Sequence, residues 1–200
     1  MSVFITGTDT DVGKTVVSAM LLRSFSHHVP VAYWKPVATG LQIERDTDTI
    51  IKLCGKDLLI CQESYRFKQP LSPHLAAPLS GKKIHEKKIL NDFNVLTKKY
   101  SNHTFVIEGA GGLFVPLNSH YFMIDLLKDL NIPCLLVTRS SLGTINHTVL
   151  SIEALRARKI PLLGVIVNGV QNRDNVRAIE KFGRVPVVAE VFPMCLKTIL

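Results

Sequence analysis

This chain has no long apolar run. Nothing in its 200 residues approaches the ~18 consecutive apolar residues that a membrane helix needs. No basic start followed by an apolar stretch marks an export signal either, so the expected location is the cytoplasm, with no membrane partner. Cysteine is scarce: Cys54, Cys61, Cys134 and Cys195 form no Cys-x-x-Cys pair and no Cys/His cluster with zinc spacing. Four free thiols are expected, with Cys134 in the core. There is no Gly-x-Ser-x-Gly elbow, no His-Glu-x-x-His, and no Gly-x-Gly-x-x-Gly after the first strand, which leaves serine-hydrolase, zinc-protease and dinucleotide-redox readings without support. Acidic residues are few, 16 against 24 Lys and Arg, and the net charge of +8 favours anionic partners. Lys82, Lys83, Lys87, Lys88, Lys98 and Lys99 flank a helical segment and read as a solvated face. No aromatic residues interleave with basic ones as single-strand binders require, so nucleic acid is not an expected partner.

What is present is concentrated at the start. Val3-Phe4-Ile5-Thr6 is a short strand, Gly7-Thr8-Asp9-Thr10-Asp11-Val12 a loop, and Gly13-Lys14-Thr15 opens an apolar helix. That order builds a phosphate cradle from backbone N–H groups and a helix N-terminus. Lys14 can reach the β- and γ-phosphates, and the Thr15 hydroxyl can hold Mg²⁺. The loop is one residue longer than the plain Walker A pattern: five residues separate Gly7 from Gly13, so Thr8 stands where the first glycine usually does.

Strand-like runs then alternate with helix-like runs. The expected strands are 3–6, 31–35, 104–108, 134–138, 162–168 and 187–189, short and β-branched, as suits strands buried on both faces. Ile89, Phe93, Leu96 and Tyr100 share one helical face, as do Ile145, Val149, Ile152 and Leu155. The expectation is an α/β fold of one domain over residues 1–200: three layers, a mostly parallel sheet flanked by helices, P-loop NTPase-like. Ligands of such sheets bind at the carboxyl ends of the strands, and the polar segments sit there. Lys35-Pro36-Val37-Ala38-Thr39-Gly40 closes the second strand and Glu108-Gly109-Ala110-Gly111-Gly112 the third. Residues 140–147 follow the fourth, and Asn168-Gly169 closes the fifth.

Each segment offers a group suited to phosphoryl chemistry. Lys35, held extended by Pro36, can stabilise charge on a transferred phosphoryl group or its acceptor. Glu108 can bind Mg²⁺, which prefers one or two carboxylates plus phosphate oxygens, and the glycines behind it let backbone approach a ligand. Asp46 and Asp48 precede an apolar helix; either can cap it or complete a metal site. The start of the helix after Gly143 can bind an anion. Asn168 can read an adenine edge or serve as a turn residue.

Together, Thr6–Thr15, Lys35–Gly40, Ser72-Pro73-His74, Glu108–Gly112 and Leu142-Gly143-Thr144-Ile145-Asn146-His147, in this order, resemble the dethiobiotin synthetase family over residues 1 to about 170. The resemblance implies an ATP-dependent cyclo-ligase of biotin biosynthesis. It would carboxylate 7,8-diaminopelargonic acid with CO₂, phosphorylate the carbamate to a carbamic-phosphoric anhydride, and close the ring. It implies ATP as co-substrate and Mg²⁺ as cofactor. ATP would lie on Asp11, Val12, Gly13, Lys14, Thr15, Val16, Asp48, Glu108, Gly109, Ala110, Gly111 and Asn168, with the metal on Thr15, Asp48 and Glu108. Lys35 and Lys14 would be catalytic. Thr10 and Thr39 would bind substrate, and Gly143, Thr144, Ile145 and Asn146 its carboxylate across a homodimer interface. The alternatives are another P-loop small-molecule kinase or amide-forming ligase, or a partition-type ATPase switch. The last commonly carries an extra lysine early in the loop, and residues 8–12 have none.

Overall fold

Buried β-branched runs and amphipathic helices alternate along most of the chain. The computed structural model describes residues 2–41, 45–55 and 58–193. The order is β1 (Ser2–Gly7), α1 (Lys14–Ser26), β2 (Val31–Trp34), β3 (Val37–Ala38), α2 (Asp46–Cys54), β4 (Leu59–Cys61), β5 (Tyr65–Arg66), α3 (Pro73–Leu79), α4 (Glu86–Lys99), β6 (Thr104–Gly112), α5 (Met123–Leu130), β7 (Cys134–Arg139), α6 (Thr144–Ala157), β8 (Leu162–Asn168), α7 (Arg173–Gly183) and β9 (Val187–Val191). Seven strands form one sheet in the order β4-β2-β6-β1-β7-β8-β9, and every neighbouring pair in it is parallel. β3 and β5 form a separate two-stranded parallel pair.

The sheet separates two main apolar layers. Ile5, Val17, Leu22, Tyr33, Ile50 and Val106 pack on the side of α1 and α2. Phe4, Trp34, Ile89, Phe105, Ile107, Leu126 and Leu155 pack on the side of α4, α5 and α6. Neighbouring strand residues alternate between the layers because side chains alternate across a strand. A smaller cluster of Leu136, Ile152, Val165, Val167 and Ile179 seats α7 beside α6.

The expected parallel sheet and its six strands are present, with three differences. The short strands β3, β4 and β5 were not expected, and two or three residues give no readable alternation. β6 runs on to Gly112 instead of stopping at Glu108, because glycines let it stay extended against crowded neighbours: a Cβ at Gly109 would lie 2.9 Å from the Phe4 ring. The inward face of α6 is Thr144, Thr148, Ile152 and Leu155, so the helix is rotated to bury two threonines rather than Ile145 and Val149. Cys54, Cys61 and Cys134 are free thiols; Cys195 lies outside the described residues. No helix among the described residues is long and apolar enough to cross a membrane.

Candidate active site

The loop after β1 is shaped by two left-handed residues, Asp11 (φ 57) and Gly13 (φ 94). Only glycine fits at position 13, since a Cβ there would lie 2.0 Å from Asn168 Nδ2. The Asn168 amide donates to the Val12 carbonyl at 2.9 Å, so the end of β8 holds the loop from behind. β7 holds its flank: Thr8 N–H donates to the Val137 carbonyl at 3.0 Å, and Arg139 pairs with Asp9 at 2.8 Å. α1 starts at Lys14 with no side-chain cap and no acidic residue in its first turn. Its leading N–H groups are therefore free of competition from a carboxylate, the arrangement that suits an anion.

Lys14 is the first residue of that helix and is buried. Its Nζ folds back and donates to the Asp9 carbonyl at 2.8 Å. Burial pulls its pKa down to about 8, with Glu108 opposing.

Strand register brings the second lysine in. Tyr33 is paired with Val106 across β2 and β6, so two residues on, and on the same face, Lys35 comes opposite Glu108. Lys35 Nζ donates to Glu108 Oε1 at 3.0 Å and to Asp46 Oδ2 at 2.5 Å. Burial alone would lower the Lys35 pKa, but Glu108 and Asp46 outweigh it and the net shift is upward. Asp46 shows the converse: burial pushes its pKa up, Lys35 and the Thr15 hydroxyl outweigh this, and the carboxyl is held below its usual range.

Thr15 Oγ1 lies 2.7 Å from Asp46 Oδ1 and 2.9 Å from Glu108 Oε1. A hydroxyl has one proton, so it can serve only one of the two carboxylates at a time. Three hard oxygens, the Thr15 hydroxyl and one oxygen each of Asp46 and Glu108, converge beside Lys35, a set of the kind that Mg²⁺ takes.

A cavity of about 790 Å³ opens over this cluster. Thr10, Asp11, Gly13, Lys14, Thr15, Val16, Lys35, Thr39, Glu108, Ala110 and Gly111, all expected at the site, line it. Val12 and Gly109 sit just behind, packed in the core and against Phe4. Asp48 requires a correction. α2 begins at Asp46, earlier than the apolar residues alone suggest, so Asp46 points into the cluster and Asp48 is exposed on the solvent side of the first turn. Gly143, Thr144, Ile145 and Asn146 do not line this cavity. Thr144 instead joins a buried hydroxyl cluster with Thr138, at 2.8 Å, and Thr148. Sequence reasoning did not single out Tyr33, whose hydroxyl donates to Glu108 Oε2 at 2.9 Å, nor Leu71, Pro73 and Val115 as cavity walls. A second cavity, about 610 Å³ and lined by His27, His28 and His103, holds none of the expected residues.

A family profile described as an AAA domain, AAA_26, matches residues 1–195. The ATP-dependent dethiobiotin synthetase BioD of Paramagnetospirillum magneticum is 44% identical over 192 residues, covering 96% of this chain and 88% of that protein. BioD of Lawsonia intracellularis is 45% identical over 193 residues, again 96% and 88%. The chain belongs to the dethiobiotin synthetase family. It is also 47% identical over 191 residues to the biotin biosynthesis bifunctional protein BioCD of Bordetella avium, of which it spans 39%. Among solved structures, a ParA family ATPase from Chlorobium tepidum superposes with a TM-score of 0.62 at 13% identity, covering 96% of this chain and 85% of that one. The MinC:MinD complex of Aquifex aeolicus gives 0.61 at 15%, covering 97% and 82%. At such identities the likeness is one of fold alone. A dethiobiotin synthetase and a ParA family ATPase thus share a scaffold.

Proposed function

We propose that this member of the dethiobiotin synthetase family runs its reaction in the cavity over Lys14, Lys35 and Glu108. The reaction is the ATP-dependent conversion of 7,8-diaminopelargonic acid and CO₂ to dethiobiotin. The observation that carries the reading is the position of Lys35: a protonated amine at the end of β2, beside the Thr15 and Glu108 cluster and in the same cavity as the phosphate loop.

The γ-phosphate of ATP lies against the start of α1, with Lys14 turned from the Asp9 carbonyl to the phosphate. Thr15, Asp46 and Glu108 would hold Mg²⁺, which would supply positive charge beside the phosphate oxygens. The diamine lies along Leu71, Pro73 and Val115, apolar walls suited to its methylene chain, with the Thr10 and Thr39 hydroxyls near its amines. One amine adds to CO₂ and loses a proton, giving a carbamate. A carbamate oxygen attacks the γ-phosphorus and ADP leaves. The second amine then attacks the carbonyl carbon of the anhydride, the ring closes, and inorganic phosphate leaves. The obstacle is repulsion between two anions. A unit positive charge about 4 Å from an anion offsets on the order of 4 kcal/mol at an effective dielectric of about 20. Lys14 supplies such a charge, and Lys35, already paired with Asp46 and Glu108, adds N–H donors that hold the reactants in line.

We further read the protein as a cytoplasmic homodimer in which Gly143, Thr144, Ile145 and Asn146, next to the fully exposed Leu142, complete the partner's site and hold the substrate carboxylate. Light scattering that found only monomers at working concentration would remove that part of the reading.

The test is Lys35→Ala. The expected outcome is a loss of kcat of roughly 100-fold or more with ATP affinity changed by less than about threefold. Equal losses in both would reduce Lys35 to a nucleotide-binding residue.

A further inference from the structure

Tyr33 stands apart from the groups used so far. It belongs to β2, its side chain is wholly buried among Ile5, Val17 and Ile50, and it never reaches the cavity. An aromatic residue in a central strand is ordinarily core. This one carries a hydroxyl to the buried side of Glu108, where it donates to Oε2 at 2.9 Å.

The two oxygens of Glu108 consequently have different surroundings. Oε1 faces Lys35 Nζ at 3.0 Å and the Thr15 hydroxyl at 2.9 Å, both cavity-lining groups. Oε2 faces the buried phenol. A carboxylate rotates easily about its last bond. One oxygen fixed from behind by a neutral donor removes that freedom and leaves the other aimed at the cavity. Register makes the contact possible: Tyr33 pairs with Val106 and Ile5 with Glu108, on adjacent strands and the same face.

We propose that Tyr33 is a positioning residue for the dethiobiotin reaction, one that locks the Glu108 carboxylate so that a single oxygen, Oε1, is presented to Mg²⁺. The inference rests on the reading of Thr15, Asp46 and Glu108 as the metal-holding groups. Tyr33 touches neither substrate nor metal; it acts through Glu108. Partners of metal ligands that fix their orientation typically account for roughly 10–100-fold in metal affinity.

The test replaces the hydroxyl alone, in Tyr33→Phe. Mn²⁺ binding is followed by paramagnetic resonance on the full-length protein with a non-hydrolysable ATP analogue. The expected result is Mn²⁺ affinity lowered about tenfold or more, with affinity for the metal-free analogue within about twofold. Turnover at low Mg²⁺ should fall further than turnover at saturating Mg²⁺, a split that a general loss of packing would not produce. Mn²⁺ affinity equal to that of the wild type would overturn the proposal while leaving the metal reading intact. Failure of the wild type to bind Mn²⁺ at all would remove both. Tyr33→Phe takes the donor from the buried Oε2 while Oε1 keeps Lys35 and Thr15, so the double variant with Glu108→Gln is made alongside it. Should the single variant not fold, recovery of Tm in the double variant supports the pairing, and no recovery overturns it. Where both fold, Tyr33→Phe must add no further loss of Mn²⁺ affinity in the Glu108→Gln background; a fully additive loss would place its effect elsewhere.

Discussion

Asp46 and Asp48 are two residues apart in one sequence segment, yet they sit in different environments. Asp46 shares Thr15 and Lys35 with Glu108, whereas Asp48 is exposed. Asp46→Asn should therefore lower Mg²⁺-dependent turnover by roughly 10–100-fold, and Asp48→Asn by less than about twofold. The reverse order in steady-state assays would return the metal role to Asp48. Lys14 makes a pH prediction. Its pKa in the folded protein is about 8 against an ordinary 10.5. Below about 8 both folded and unfolded chains carry the proton, and the folded state bears the full cost of burying it. Between about 8 and 10.5 the folded lysine loses its proton while the unfolded one keeps it, so stability rises with pH. Relative to Lys14→Met, the ligand-free wild type should gain roughly 3 kcal/mol across that window, read from urea titrations at several pH values. A flat or falling difference would contradict it. The sequence showed Lys14, Lys35 and Glu108 because each follows a strand and stands out as a charge. Tyr33 was not visible in the same way, because an aromatic residue inside an apolar strand reads as core and only the register reveals what its hydroxyl meets.

At the scale of elements, the phosphate loop is held as much by its neighbours as by its own glycines. Asn168 at the end of β8 and Arg139 at the end of β7 both bond to it. Thr8 lies 3.3 Å from Thr138, which bonds to Thr144 and Thr148 of α6. The expected adenine contact at Asn168 thus has to share that amide with the Val12 carbonyl. Gly13→Ala should break this arrangement twice, through its left-handed backbone and through the overlap with Asn168. Calorimetry should show ATP affinity reduced at least about tenfold at a stability cost of about 1–3 kcal/mol; unchanged affinity would mean that the loop has room the structure denies it. The long elements were legible because periodicity accumulates over many residues. α2 was placed late because its first turn, Asp46-Thr47-Asp48-Thr49, is polar on every side and carries no apolar stripe. The rotation of α6 was missed for the opposite reason: threonines satisfied by one another occupy the inward positions, and polar residues are not read as core.

The whole molecule sets a parallel sheet beneath one active edge, with the loops after β1, β2 and β6 meeting at a single cavity. That scaffold is shared with the ParA and MinD structures and does not itself specify a reaction. The proposed reaction depends on what the cavity joins: an uncapped helix start, a second lysine paired to two carboxylates, and apolar and hydroxyl walls. A nucleotide switch needs the first of these and has no use for a wall that takes a methylene chain. The most direct measurement is release of inorganic phosphate from ATP, with 7,8-diaminopelargonic acid and bicarbonate supplied separately and together. The account predicts phosphate release only when both are present, one for each dethiobiotin formed. Sustained release with neither, or with the diamine alone, would contradict it.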